Sequence, residues 1–341
     1  MSTRIGLIGA GKMGISHLAI ANAHPGAAVT AVADTSGYVL SVLEKWAGVE
    51  TYKDAEEMIA KAALDAVIVA TPSATHFQCA RQALERGLHV FVEKPLTLSS
   101  AESRALAELA GQRKRVNQVG FHNRFIGTFQ EARRLVRAGA LGQVTGVHGS
   151  AFGPVVVREQ GSTWRSKKSE GGGCLHDYAC HVIDLMNFVV GPPRSVAGAR
   201  MQSIFSRDVE DAVYAVFAYD GGMTGVLEAN WSDETHRKMS TTLTVNGTNG
   251  KLVADRQELR VYLRSADAAG PGYQEGWTTR YITELQAPVW FYLRGEEYSA
   301  QLDAFVRGIE RGAPDPDHSF ASAYETDRLL ELIVQAHQAS R

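Results

Sequence analysis

The first third of the chain alternates short, near-continuous apolar runs with longer stretches whose apolar positions recur every three or four residues. RIGLIG (4–9), AVTAVAD (28–34), DAVIVA (65–70), HVFVE (89–93) and RVNQVG (115–120) read as strands, with a further short strand near 49–51. GKMGISHLAIANAH, the segment 36–46, DAEEMIAKA with Asp54 as N-cap, THFQCARQALERG and SSAESRALAELAGQR read as helices, the last with a serine cap and a glutamate shortly after it. Apolar strands separated by helices form a parallel sheet covered on both faces, the doubly wound arrangement.

Near residue 122 the pattern changes. Helical spacing persists at 127–138 and 174–190, but QVTGVHGSAF, RSVAGARMQSIF, DAVYAVFAY, GMTGVLEANW, STTLTVNG and GKLVAD follow one another without long helices between them. Asp220-Gly221-Gly222 and Asn246-Gly247 sit between such runs as hairpin loops. The pattern predicts a second α/β domain with a large, mostly antiparallel open sheet. The C-terminal segments EEYSAQLDAFVRGIERG and SFASAYETDRLLELIVQAHQA return to helix. The expected division is 1–122 and 123–341, with the C-terminal helices able to pack back on the first domain. GPGYQEG (270–276) reads as a surface loop, and the aromatic run VWFYLRGEEY (289–298) as core or a subunit contact rather than a sugar-stacking platform.

A length of 341 residues agrees with two domains, each able to bury substantial apolar surface. The formal charge of −2, with both signs interspersed, gives no electrostatic footprint for nucleic acid or an anionic membrane. Cys79, Cys174 and Cys180 form no disulfide framework and no CxxC pair, which fits a reducing compartment. The start MSTRIGLIGAG has no basic region ahead of a long apolar one, and no run approaches the length of a membrane span. A cytoplasmic protein is expected.

GAGKMG (9–14) closes the first strand and opens a helix, the context in which a Gly-rich turn binds a dinucleotide. Gly9 allows the tight turn, Gly11 lets backbone approach a pyrophosphate at the helix N-terminus, and Gly14 permits close helix–strand packing. Asp34, 25 residues after Gly9, ends the second strand where a carboxylate accepts the ribose hydroxyls, although it could instead only cap the next helix. Thr35 and Ser36 follow, with no arginine to meet a 2′-phosphate, so NAD is favoured over NADP. Lys94, in Glu93-Lys94-Pro95 at the end of HVFVE, is biased to an extended conformation by the proline, so that its ammonium can reach the ligand crevice of such a fold.

GGGCLHDYACH (171–181) offers two cysteines, two histidines and an aspartate. Together with GAGKMG and ATPSATHFQCARQALERGLHVFVEKPLT, in this order and at these separations, GGGCLHDYACHVIDLMNFVVG resembles the glucose-fructose oxidoreductase, inositol dehydrogenase and MocA (Gfo/Idh/MocA) family over at least residues 4–191. The resemblance implies an N-terminal Rossmann domain, a C-terminal α/β domain whose open sheet mediates a homodimer or homotetramer, and a bound nicotinamide cofactor. It implies oxidation or reduction of a secondary alcohol or carbonyl on a sugar, polyol or nucleotide sugar. Lys94, Asp177 and His181 match the family's catalytic positions. Gly9, Gly11, Lys12, Met13, Asp34, Thr71, Pro72, His76, Glu93, Lys94 and Arg165 match cofactor contacts. Arg124 and Trp164, with Lys94, Asp177 and His181, match substrate positions.

On a regular helix Asp177 and His181, four residues apart, share a face. Histidine titrates near neutrality and suits a base that takes the alcohol proton; Lys94 would stabilise the developing alkoxide, or be the base itself if burial lowers its pKa. Cys174, Asp177 and His181 also share a stripe that could bind zinc, but no complementary cluster accompanies them and no metal is expected. Cys174 and Cys180 read as small core residues, the three glycines as a flexible lead-in to the helix, and His176 has no assigned role. The expected function is NAD-dependent dehydrogenation of a sugar, inositol-like polyol or sugar derivative. A nucleotide-sugar or aminosugar 3-dehydrogenase is the second enzymatic reading, and a non-catalytic dinucleotide sensor the reading from another class.

Overall fold

Six apolar runs near the N-terminus form one sheet, in the computed structural model that describes residues 2–159 and 163–340. Its elements are β1 (Thr3–Ile8), α1 (Lys12–Ala23), β2 (Ala27–Ala33), α2 (Gly37–Ala47), β3 (Glu50–Tyr52), α3 (Ala55–Lys61), β4 (Ala66–Val69), α4 (His76–Glu85), β5 (His89–Val92), α5 (Ser100–Arg113) and β6 (Asn117–Val119). The strand order is β3-β2-β1-β4-β5-β6, every pair parallel. The order reverses between β1 and β4, and ligands of such sheets bind beyond the strand carboxyl ends at that switch point. Asp54 caps α3 as its sequence predicts, Oδ1 accepting the Glu57 N–H at 2.9 Å. The serine cap of α5 does not form: Ser99 makes no side-chain cap bond. There Thr97 Oγ1 accepts the Ser99 N–H at 3.2 Å and bonds to Ser103 Oγ at 2.7 Å, while Ser103 Oγ donates to Asp327 Oδ2 at 2.6 Å.

The later runs build α6 (Gly127–Arg137), β7 (Val144–Phe152), a π-helical turn (Leu175–Ala179) leading into α7 (Cys180–Val190), and the strands β8 (Ser195–Gln202), β9 (Ala212–Ala218), β10 (Thr224–Asn230), β11 (Ser240–Gly247), β12 (Gly250–Ala254), β13 (Glu258–Leu263) and β14 (Gly276–Tyr281), followed by α8 (Ile282–Leu285). The order is β14-β13-β12-β11-β7-β10-β9-β8, antiparallel except at β7–β10. Period-two burial is plain in β13, where Leu259, Val261 and Leu263 are buried and Arg260 and Tyr262 exposed. Helix α7 lies so close to β7 that a Cβ on Gly149 would come within 2.4 Å of Val182. Asn246-Gly247 is not the hairpin loop: both residues end β11, and Thr248-Asn249 make the turn. Gly247 serves close packing instead, since a Cβ there would lie 2.2 Å from the Leu141 carbonyl oxygen. Segment 270–276 joins β13 and β14, two strands the sequence pattern did not predict.

The chain divides into two compact units, Met1–His122 with Pro288–Asp327 and Asn123–Ala287 with Arg328–Arg341. The expected second domain therefore yields 288–327 to the first unit. Within that unit Leu302, Phe305 and Val306 of α9 (Glu296–Arg311) join Ile5, Leu7 and Phe91 in one hydrophobic core. Gln118 Nε2 donates to the Gln301 carbonyl at 2.7 Å, and the N–H of Phe320, the first residue of α10 (Phe320–Ala339), donates to Asn117 Oδ1 at 2.7 Å. From the aromatic run, Phe291 and Leu293 pack on this core while Tyr292 is 68% exposed. Among the described residues no helix is long and apolar enough to cross a membrane.

Candidate active site

In the first unit, the loop after β1 is shaped by three different demands. Gly9 has φ of +90°, and a Cβ there would meet the Ala70 carbonyl oxygen at 2.8 Å. A Cβ on Gly14 would lie 1.9 Å from the Gly9 carbonyl oxygen, so α1 can approach the loop only without a side chain. Among the described residues, a Cβ on Gly11 would meet nothing within 4 Å beyond its own helix and chain neighbours. Gly11 is the N-cap of α1 and supplies no side-chain cap, and the first turn carries no acidic residue. Unclaimed N–H groups and open space at a helix N-terminus fit a pyrophosphate. Lys12 is exposed and Met13 half-buried on the first turn.

Asp34 does more than follow β2. Its Oδ2 accepts the Ala10 N–H at 2.7 Å and its Oδ1 the Ser36 N–H at 2.8 Å, so the carboxylate ties the Gly-rich loop to the start of α2. Each oxygen keeps a lone pair for a ribose hydroxyl. Capping of α2 falls to Ser36, whose Oγ accepts the Val39 N–H at 3.4 Å.

His76 is only 1% exposed. Its Nδ1 lies 2.8 Å from the Pro95 carbonyl oxygen and its Nε2 3.0 Å from that of Thr71. The ring is enclosed between the loop after β4 and the loop after β5, each of which turns a carbonyl toward it, and its one N–H donates to one of the two. Burial outweighs the pull of these carbonyls and holds the imidazole below its ordinary pKa. In that loop Thr71 is half-buried and Pro72, Ala74 and Thr75 are exposed, with Thr75 Oγ1 donating to Thr71 Oγ1 at 2.8 Å. Beyond β5, Glu93 and Lys94 are half-buried, and the Lys94–Pro95 peptide is cis. Burial works to raise the Glu93 carboxyl, but the His17 hydrogen bond and the nearby charges of Lys94 and His122 hold it below the ordinary value. Neither His17 nor His122 was singled out in the sequence.

In the second unit, GGGCLHDYACH folds as a tight corner. The glycines are not a flexible lead-in: a Cβ on Gly172 would lie 2.2 Å from the Arg165 carbonyl oxygen, and Gly173, at φ +105°, sits against the Glu210 carboxylate. Glu210 anchors the turn, its carbonyl accepting the Cys174 N–H at 2.9 Å and its Oε1 the Leu175 N–H at 2.8 Å. Burial pushes the Glu210 carboxyl up. The next five residues adopt a π turn, so Asp177 precedes the α-helical part of the segment and the regular-helix phase assumed for Asp177 and His181 does not apply. π turns interrupt helices mostly at functional sites.

Asp177 Oδ2 accepts from Arg165 Nε at 3.0 Å, and the Arg165 guanidinium lies over the Trp164 ring at 4.6 Å. Trp164, Arg165, Lys167, Phe205 and Arg207 line part of a cavity of about 570 Å³, within the range that holds a small polar ligand. His181 is 4% exposed on α7. Arg124 is 2% exposed and forms a two-pronged ion pair with Asp184, one bond Nε to Oδ2 at 2.8 Å. Its charge is met inside the protein by Asp184. Asp184 was missed, although it follows His181 at helical spacing. Cys174 and Cys180 are fully buried; burial raises the Cys174 thiol, and Cys180 Sγ donates to the His176 carbonyl at 2.9 Å. His176 and Asp177 are the half-buried positions in this otherwise enclosed stretch. Among the described residues no group of three or more His, Cys, Asp or Glu could hold a metal ion.

Both units have relatives. Residues 3–121 match the oxidoreductase family with an NAD-binding Rossmann fold, and 129–253 match the Gfo/Idh/MocA C-terminal domain. Scyllo-inositol 2-dehydrogenase (NAD(+)) of Bacillus subtilis is 28% identical over 83% of this chain and 84% of its own length. The rhizopine catabolism protein MocA of Rhizobium meliloti is 31% identical over 66% of this chain and 70% of its own. Levoglucosan dehydrogenase in complex with NADH and levoglucosan superposes with a TM-score of 0.88 at 25% identity, covering 100% of this chain and 98% of that one. With the glycine loop, Asp34 and both domain matches in agreement, the chain belongs to the Gfo/Idh/MocA family and is an NAD-dependent dehydrogenase.

Proposed function

We propose that the protein oxidises a secondary alcohol of a sugar or inositol-like polyol. The observation that carries this reading is the Arg165–Asp177 pair at the edge of the cavity of about 570 Å³, with His181 on the helix that Asp177 leads into. A cavity lined by guanidinium, ammonium, carboxylate and aromatic groups suits a compact polyhydroxylated molecule, whose hydroxyls both donate and accept hydrogen bonds and whose C–H faces stack on rings. Relatives named for inositol and levoglucosan support the same substrate class.

Gly9, Gly11, Lys12, Met13, Asp34, Thr71, Pro72 and Glu93 are the residues proposed to hold NAD, with Arg165 beside them in role. Bound NAD supplies the hydride acceptor. Lys94 donates a hydrogen bond to the reacting hydroxyl and stabilises its alkoxide character. His181 takes the hydroxyl proton as the hydride leaves the same carbon, and Asp177 orients a neighbouring hydroxyl. Arg165 holds the Asp177 carboxylate in place, and Trp164 offers its ring to the substrate. The exposed face of the eight-stranded sheet is proposed as the surface through which copies of the chain associate, and the cytoplasm as the compartment.

The test follows NADH formation with NAD and a panel of inositols, levoglucosan and monosaccharides. Turnover with at least one of them is expected, with kcat reduced about 100-fold or more by Lys94→Ala and by His181→Ala. Unchanged turnover in both variants would overturn the assigned roles, and failure of every panel member would overturn the substrate class.

A further inference from the structure

His17, on the second turn of α1, is fully buried. Its Nε2 lies 2.7 Å from Glu93 Oε1, and its ring meets Phe91 edge-on with centroids 5.1 Å apart. Phe91 and Glu93 are two residues apart, so one side of the β5 chain provides both the apolar wall and the acceptor. On the neighbouring strand end, a Cβ on Gly120 would stand 3.2 Å from the Glu93 carboxylate. That position is bare where the carboxylate sits. Glu93 Oε2 accepts the Lys94 N–H at 3.3 Å, and the charges of Lys94 and His122 act on the same group. A carboxylate only accepts, so His17 Nε2 carries the proton of this bond.

The other ring nitrogen tells why an imidazole stands here. His17 Nδ1 is buried with no hydrogen-bond partner among the described residues. Leaving a buried polar atom unmet is unfavourable, and an apolar side chain of similar volume would leave none. Packing alone therefore does not account for histidine; the bond to Glu93 does.

We propose that His17 is a positioning residue for hydride transfer, fixing the Glu93 carboxylate at Oε1 so that Glu93 and the adjoining Lys94 keep one orientation. Without that bond the carboxylate rotates and engages the Lys94 ammonium more fully, drawing it from the substrate oxygen. The proposal rests on the reading of Lys94 as the group that meets the reacting hydroxyl.

Three variants separate reach from polarity: His17→Gln keeps an N–H donor near the Nε2 position, His17→Asn is one methylene too short, and His17→Leu has no donor. With NAD and scyllo-inositol, kcat falls about tenfold or more in the Asn and Leu variants and recovers in Gln, while NADH affinity, which Glu93 also serves, weakens less than kcat falls and recovers in Gln as well. A second readout needs no turnover. Competitive acetylation of Lys94 by acetic anhydride, scaled to exposed Lys61, slows about threefold in Asn and Leu and not in Gln. Equal Lys94 labelling in all four proteins would overturn the proposal, as would kcat and NADH affinity lost together without recovery in Gln. Lys94→Ala is the control. Full activity in that variant sinks the reading of Lys94, whereas an inactive Lys94→Ala beside an unaffected His17→Leu sinks the positioning role alone.

Discussion

Gly11 and Gly14 stand three residues apart in one loop, yet an added methyl group meets opposite surroundings at each. At Gly14 it collides with the Gly9 carbonyl, so Gly14→Ala is expected to lose about 1–3 kcal/mol of stability, read by thermal unfolding. At Gly11 it projects into open space. Gly11→Ala should melt like the parent and bind NADH about tenfold more weakly by fluorescence titration, because only the ligand would meet the methyl group. Arg124 and Asp184 make a different point. Removing one partner leaves a buried charge unmatched, so Arg124→Ala is expected to lose about 3–5 kcal/mol in urea unfolding, and Arg124→Met with Asp184→Leu to recover most of it. His76 sets a pH dependence. Burial lowers its pKa in the folded chain, so the unfolded chain binds the extra proton first. Stability is full above the unfolded value of about 6.5 and falls as the pH drops below it. His76→Gln should flatten that decline, measured as urea midpoints between about pH 7.5 and 5.5. The decline is not abolished, because His89 is shifted the same way by burial and by Arg115.

Elements differ in how far local sequence dictates them. Asp54 and the end of β2 just before Asp34 follow rules of capping and spacing that act within a few residues. Asp184 was legible in the same way, three residues after His181 on α7, yet its partner Arg124 lies 60 positions away. The bond from His17 spans 76 positions to Glu93, and no local pattern announces it. The π turn is the clearest miss. Nothing in LHDYA announces a π turn rather than an α one, and the Glu210 that takes the Cys174 and Leu175 N–H groups at its start lies 35 positions from Leu175. Deleting Ala179 should let the segment run as a plain α-helix and turn His181 away from the phase set by Asp177. Circular dichroism would then be unchanged while kcat drops about 100-fold.

At the scale of the molecule, the open sheet presents apolar pairs on its exposed face. Val216 opposes Val226, exposed 41% and 39%, and Tyr262 meets Trp277 across β13 and β14 with centroids 5.5 Å apart. If copies of the chain associate through this face, Val216→Lys with Val226→Glu reduces the mass seen by sedimentation while melting is little changed. The sequence leads one to expect a division at residue 122 with C-terminal helices able to pack back, and 288–327 belongs with the first compact unit. The change from parallel to antiparallel patterning at residue 122 lies in the sequence itself, whereas the return of 288–327 depends on α9 finding a sheet laid down long before it.

That return bears on the order in which the protein is made. A ribosome delivers the six strands of the nucleotide-binding unit first, but Leu302, Phe305 and Val306 complete their core. Burying each contributes about 1.5–3 kcal/mol, so the three together approach the net stability of a whole domain. The nascent unit must wait, partly finished and with apolar surface uncovered, while the entire second sheet is synthesised. A stalled chain ending at residue 287 should therefore be cut by protease within its first 122 residues at positions the full-length protein protects.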